Sequence, residues 1–184
     1  MVWTIIIIIL STADQVIKFW IDSNLTGSDR IIVIDRFFYL IRRHNSGAAW
    51  SFLAEPSWGI YVLTVMSLLV TLLLLVILVK VNHTWLRVCL SLVIAGSLGN
   101  LIDRIRLGAV TDYLDFHFGT YVFPTFNLAD MLIVCGTVLL CLLLLREQTL
   151  VDQIAESLAR PTRKSVGKRC PKQEAGNDQD HPDN

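Results

Sequence analysis

Gly96–Asp130 reads GSLGNLIDRIRLGAVTDYLDFHFGTYVFPTFNLAD, a polar stretch set between two strongly apolar runs. It carries Asn100, Asp103, Arg104, Asp112, Asp115, Asn127 and Asp130. Carboxylates and carboxamides are costly at the ends of membrane spans. They are kept there where they face one another or a polar cavity, so such a cluster is a functional candidate.

Working outward, four apolar segments frame this stretch: residues 2–21, 58–79, 85–102 and 128–145. Each is about 20 residues, roughly 30 Å of helix, which is the thickness of a bilayer core. The 184-residue chain is 53% hydrophobic and formally neutral, yet its charges avoid the four segments and collect in the connections and the tail. That distribution excludes an ordinary soluble domain. It predicts a mainly α membrane protein of four transmembrane helices over residues 1–146, followed by a polar tail over 147–184. The N-terminal run lacks a basic leader and a small-residue cleavage site, so it is expected to be a retained first span. Trp3 and Trp20 suit interfacial anchors at its two ends.

Positive charge sets the expected orientation. Lys80 and Arg87 flank the second connection, and seven Lys/Arg lie between Arg146 and Lys172. Both regions are expected on the cytoplasmic side, with the two termini. The connections 22–57 and 103–126 then face outward, although Arg30, Arg36, Arg42 and Arg43 in the first dilute the bias. In the tail, Leu150, Ile154 and Leu158 suit a short interfacial helix, and residues 160–172 are basic enough for anionic lipid. The final eleven residues, from Glu174, are polar and expected to be disordered. Cys89, Cys135 and Cys141 fall in spans and Cys170 in the tail, with no CxxC or zinc-type spacing, so they read as free thiols filling helix interfaces.

Each polar position has a structural and a functional reading. Asp14 and Lys18, at i,i+4, form either a neutralised ion pair or a support for a site. Residues 30–40 are rich in β-branched and aromatic side chains and read as strand. Asn45-Ser46-Gly47 is either a hairpin turn or part of a small sheet on the membrane surface, with Asn45 offering its amide to a peptide or head group. The 58–79 segment is chargeless and reads as scaffold. In the third segment, Gly96, Asn100 and Arg104 share a face at i, i+4, i+8, with Asp103 beside them. Asp103, next to Arg104, reads as a structural ion-pair member, and Asp115 stays open. Asn127 and Asp130 suit the N-cap and N3 positions of the last helix.

The histidines are scattered, and there is no HExxH and no phosphate loop. What remains is aspartates gathered at one membrane face. Two carboxylates held close share a proton, so one activates water while the other polarises a carbonyl. Asp112 and Asp130 lie on different elements, a loop and a helix start, and can converge. Intramembrane Asp, Asn and Lys also line ion paths, so a small proton- or ion-conducting transporter is the alternative class.

Taken in order, Asp14…Lys18, Asn45-x-Gly47-Ala48-Ala49, Gly99-Asn100-x-x-Asp103-Arg104, Val110-x-Asp112-Tyr113 and Phe126-Asn127-x-Ala129-Asp130 resemble the motifs of the lipoprotein signal peptidases (signal peptidase II). The resemblance covers about residues 10–140. It implies a bacterial inner-membrane aspartyl endopeptidase that cleaves prolipoproteins before a diacylglyceryl-modified cysteine. By position it makes Asp112 and Asp130 the catalytic aspartates. Asn45, Gly47, Asn100, Asp103, Arg104 and Asn127 become substrate-binding or site-shaping residues, and Asp14 and Lys18 a supporting pair. It further implies a small β-cradle in the first outer connection and a short helix or loop in the second. No metal or other cofactor and no nucleic acid is expected; the partners are prolipoproteins and membrane lipid, and the chain is expected to act as a monomer.

Overall fold

The computed structural model describes residues 1–47 and 58–147. Ala48 and Ala49 of the loop motif, Cys170, and the interfacial helix and disordered end expected in the tail lie outside these residues. In chain order the elements are α1 (Val2–Asn24), β1 (Arg30–Ile34), β2 (Phe38–Asn45), α2 (Gly59–Lys80), α3 (Thr84–Leu107), β3 (Val110–Phe118), β4 (Tyr121–Val122) and α4 (Leu128–Arg146). All four helices are long and apolar enough to cross a membrane.

α3 is the central helix. Its apolar stretch is 61% buried, against 11% for α2, which leaves α2 as a peripheral, lipid-facing helix as its uniform composition suggests. Ile7 of α1, Leu78 of α2, Leu86, Leu90 and Ile94 of α3 and Leu132 of α4 form the core between them. Without a hydrophobic drive between helices in lipid, close approach depends on small residues. A Cβ on Gly96 would collide with the carbonyl oxygen of Ala129 and with Ile133 Cγ1, so α3 and α4 touch backbone to backbone there. A Gly96→Ala variant should therefore push these helices apart and lose about 1–3 kcal/mol of stability. Unfolding in detergent checks this against Gly27→Ala, where an added Cβ meets nothing within 4 Å.

Three expectations need correction. The third span does not stop at Ile102 but continues to Leu107 and ends on Gly108, in a left-handed conformation (φ 66°) with its N–H bonded to Arg104 O. Asp103, Arg104 and Arg106 do not end the helix, because Asp103 is neutralised inside the bundle rather than solvated. Nor is the second outer connection a short helix or loop. It forms β3 and β4, whose β-branched and aromatic residues complete a four-stranded antiparallel sheet of order β1-β2-β3-β4. The 30–40 segment is likewise a hairpin, not one strand, turning at Asp35-Arg36 with Arg36 at φ 59°. The cradle is thus built by both connections, and β3 carries Asp112 into its centre.

Candidate active site

Strand alternation decides which side chains reach the site. In β2, Arg43 and Asn45 line a cavity of about 520 Å³, as do Val110 and Asp112 of β3. Arg42, His44 and Thr111, each next to one of these residues, take the opposite face. Between Leu40 and Arg43 the β2–β3 register shifts, so that Arg43 stands opposite Asp112 and Asn45 opposite Val110. Such a bulge re-aims side chains locally.

α4 brings the second carboxylate. Asn127 caps the helix: its Oδ1 accepts the Asp130 N–H at 3.0 Å, and Asp130 Oδ2 accepts the Asn127 N–H at 3.2 Å. This capping box fixes the Asp130 side chain, leaving Oδ1 to accept from Asn100 Nδ2 at 2.7 Å. Capping and site-building are therefore one arrangement here. The Asn127 amide does double duty: its Nδ2 donates to Asp112 Oδ1 at 2.7 Å and to Asn100 Oδ1 at 3.3 Å. Asn45 Nδ2 donates to the other oxygen, Asp112 Oδ2, at 3.1 Å, and the Gly47 N–H holds Asn45 Oδ1 at 3.0 Å. Asp112 and Asp130 are thus joined through the amides of Asn127 and Asn100.

Behind this wall lies a buried charge cluster. Lys18 Nζ sits 2.9 Å from Asp14 Oδ2, 2.9 Å from Asp103 Oδ2 and 3.0 Å from Asn100 Oδ1. Asp14 Oδ1 accepts the Ala129 N–H at 3.0 Å, and Asp103 Oδ2 accepts the Thr111 N–H at 3.1 Å. The cluster ties α1, α3, β3 and the start of α4 together. It also orients Asn100, whose oxygen faces Lys18 and whose nitrogen faces Asp130. Asp103 belongs to an ion pair, but its partner is Lys18 rather than the adjacent Arg104 that suggested the pairing. Asp14, Lys18, Asp103 and Asn127 support the cavity from behind, whereas Asn45, Gly47, Asn100, Arg104, Asp112 and Asp130 line it. Asp115 turns away to pair with His117 Nε2 at 2.7 Å. Arg104 brings a guanidinium into the cavity wall, and its buried Nε has no hydrogen-bond partner among the described residues.

Asp112 is 3% exposed. That burial, and next the charge of Asp130, push its carboxyl up to about 6, against the opposing pull of the Asn45 and Asn127 hydrogen bonds. Because the folded carboxyl holds a proton that the unfolded chain releases, its contribution to stability is lost as pH rises from 3.8 to about 6.

Three residues that sequence reasoning passed over also belong to the neighbourhood. Gln15 Nε2 donates to Asp103 Oδ1 and Gly99 O, both at 3.0 Å. Tyr113 OH accepts the Leu128 N–H at 3.1 Å, and burial pushes its phenol up to about 12. Asp22 continues the Asp14–Lys18 spacing by one more turn and reaches the sheet. Tyr113 was within the quoted motifs, and the 14, 18, 22 periodicity was visible; Gln15 had no signal beyond its neighbour.

Among the described residues no three His, Cys, Asp or Glu are grouped to hold a metal ion. Cys89, Cys135 and Cys141 are free, Cys89 buried and the other two exposed on α4.

Four membrane-length helices and an acid-lined cavity beneath a small sheet define a multi-pass membrane protein with its polar site at one end of the bundle. Comparison with known proteins narrows this class. The family model for signal peptidase (SPase) II matches residues 6–146. Curated relatives include a lipoprotein signal peptidase of Pseudomonas fluorescens, 39% identical over 76% of this chain and 85% of that one. Another, from Hydrogenovibrio crunogenus, is 40% identical over 75% of this chain and 80% of the relative. A solved bacterial membrane enzyme, determined by the in meso method, superposes with a TM-score of 0.73 at 30% identity, covering 80% of this chain and 90% of its own. The chain belongs to the signal peptidase II family.

Proposed function

We propose that this membrane peptidase removes signal peptides from prolipoproteins by cleaving before the diacylglyceryl-modified cysteine, with Asp112 and Asp130 as the catalytic pair. The observation that carries the reading is that these two carboxylates, from different elements, reach one cavity and are joined through the amides of Asn100 and Asn127. The curated relatives' name for their substrate, lipoproteins, supports the choice of precursor.

The cavity also suits a lipid-anchored substrate. Met131 and Val134, which line it, are 43% and 60% exposed on α4, so the cavity opens sideways toward lipid. A precursor enters laterally, its acyl chains remaining in the bilayer and its cleavage site meeting the aspartates. Holding a substrate by its anchor converts an encounter into an oriented approach. Asn45 and Gly47 close one side of the cleavage site, and Arg104 adds a positive charge to its wall.

In the chemical step Asp130, whose two oxygens already accept N–H bonds, takes a proton from water, and Asp112 donates its proton to the scissile carbonyl. A C–O bond forms. The tetrahedral intermediate then collapses as the C–N bond breaks, Asp130 passing its proton to the leaving amine and the carbonyl proton returning to Asp112. The residues that do this all belong to the chain. Since the free enzyme needs the proton on Asp112, kcat/KM should fall as pH rises through about 6, with the value belonging to the pair. A pH–rate profile checks this; a flat profile from pH 5 to 8 would remove Asp112 from the acid role.

In this reading the site lies at the outer face of the bacterial inner membrane with both termini cytoplasmic, which the positive charge of Lys80, Arg87 and the tail supports, and one chain supplies every residue the scheme uses. Ion conduction is not favoured: residues 2–13, 88–102 and 131–145 of the spanning helices contain no Asp, Glu, His, Lys or Arg to continue a relay. The test is the rate of signal-peptide release by the purified chain from a diacylglyceryl-modified precursor and from the same precursor unmodified. Preference for the modified form by about 100-fold is expected from anchored positioning. Equal rates would sink the lipid-dependent reading.

A further inference from the structure

We infer that Asp22 is a positioning residue for this site: by clipping β2 and β3 to the end of α1, it sets where the Asn45 amide meets Asp112. The inference rests on the reading of Asp112 as a reacting acid.

Asp22 lies in the last turn of α1, where the helix dipole disfavours a carboxylate and no basic residue of that turn offsets it. Its carboxylate is used across the chain instead. Oδ1 pairs with the Arg42 guanidinium, 3.3 Å from its Nε, and lies within hydrogen-bond distance of His44 Nε2 at 3.1 Å. Oδ2 accepts from Thr111 Oγ1 at 3.2 Å. Arg42 is held further by its Nη1 bond to Leu25 O at 3.0 Å.

All three partners stand on the face of the sheet away from the cavity, each next in sequence to a residue that lines it. His44 precedes Asn45, Thr111 precedes Asp112, and His44 and Thr111 are direct cross-strand partners. Arg42 lies inside the irregular stretch between Leu40 and Arg43, where the ladder is interrupted. An interrupted ladder specifies register weakly, and a slip of one residue would turn Asn45 or Asp112 out of the cavity. Asp22 grips the bulge and the cross-strand pair beyond it at once, from behind, and so fixes the register at the place where the Asn45–Asp112 hydrogen bond forms.

A residue that merely anchored the sheet would affect folding but would not act through that one bond. The test is a double-mutant cycle in the full-length chain, using Asp22→Ala, Asn45→Ala and the pair together, with two readouts. One is kcat and KM for a lipid-modified precursor. The other is the carbon-13 titration of the Asp112 carboxyl, which is independent of turnover. Asp22→Ala is expected to lower kcat about tenfold with KM changed less than about twofold, and to move the Asp112 midpoint upward as Asn45→Ala does. In the Asn45→Ala background Asp22→Ala should add little, since residues acting through one contact are not additive. Additive losses, or an Asp112 midpoint that Asp22→Ala leaves in place, overturn the inference. Thr111→Val keeps the shape of a fully buried side chain and cuts only the β3 arm, so it decides by the same readouts if Asp22→Ala does not fold. If the wild type fails to process the precursor, the functional reading falls while the titration still decides the role of Asp22.

Discussion

Asp112→Asn and Asp130→Asn are each expected to lower kcat on a prolipoprotein by about 10²–10⁴-fold, the range for losing a positioned acid or base. In the proposed scheme the two changes would remove different steps. Asn at position 112 keeps the shape between Asn45 and Asn127 but cannot pass a proton to the carbonyl. Asn at position 130 cannot take one from water. Because the two carboxylates act as a unit, the double variant should be little slower than either single one. Folding should survive: Asp112→Asn removes a carboxyl whose ionised form burial already opposes, and Asp130→Asn weakens one half of the capping box, a cost of about 1 kcal/mol. Rates measured alongside unfolding midpoints separate lost chemistry from lost structure.

Lys18→Met has the largest expected effect on stability, a loss of about 3–5 kcal/mol. Lys18 is 2% exposed, and the two carboxylates it neutralises, Asp14 and Asp103, are 0% and 1% exposed. Methionine fills a similar volume but leaves two buried acids without a cation, and it also releases the Asn100 oxygen that Lys18 holds at 3.0 Å. Activity should fall with it, since Asn100 orients Asp130. Unfolding in detergent checks the stability loss against Arg36→Ala. The Asp35–Arg36 pair is 3.7 Å apart and its side chains are 76% and 92% exposed, so its removal should change little. If Lys18→Met unfolds like the wild type, the buried cluster is not what holds α1 to α3.

The four helices were legible because membrane length and apolar composition are local properties, and each is found within a few residues of its expected place. The site was legible for a related reason: polar residues in apolar surroundings are conspicuous, and Asn100, Asp112 and Asp130 stand out from their neighbours. What local reading could not reach is pairing across the chain. β3 alternates polar and apolar residues only over Leu114–Phe118, and its partner strand lies 67 positions away at the Asn45–Asp112 contact, so it looked like a motif-bearing loop. The same limit applies to Asp103. Its sequence neighbour Arg104 was the visible partner, whereas the bundle turns it to Lys18, 85 positions earlier in the chain. Helical spacing tells which residues share a face, but not which face of another helix they meet. The bulge between Leu40 and Arg43 likewise meets partners at the end of α1 that no local pattern names.

The most direct test of the central claim is the mass of the product released when the purified full-length chain acts on a diacylglyceryl-modified prolipoprotein. The account predicts a mature chain that begins with the lipid-modified cysteine, together with an intact signal peptide, and neither from Asp112→Asn. A cut at any other bond, or a precursor left whole by the wild type, would contradict it.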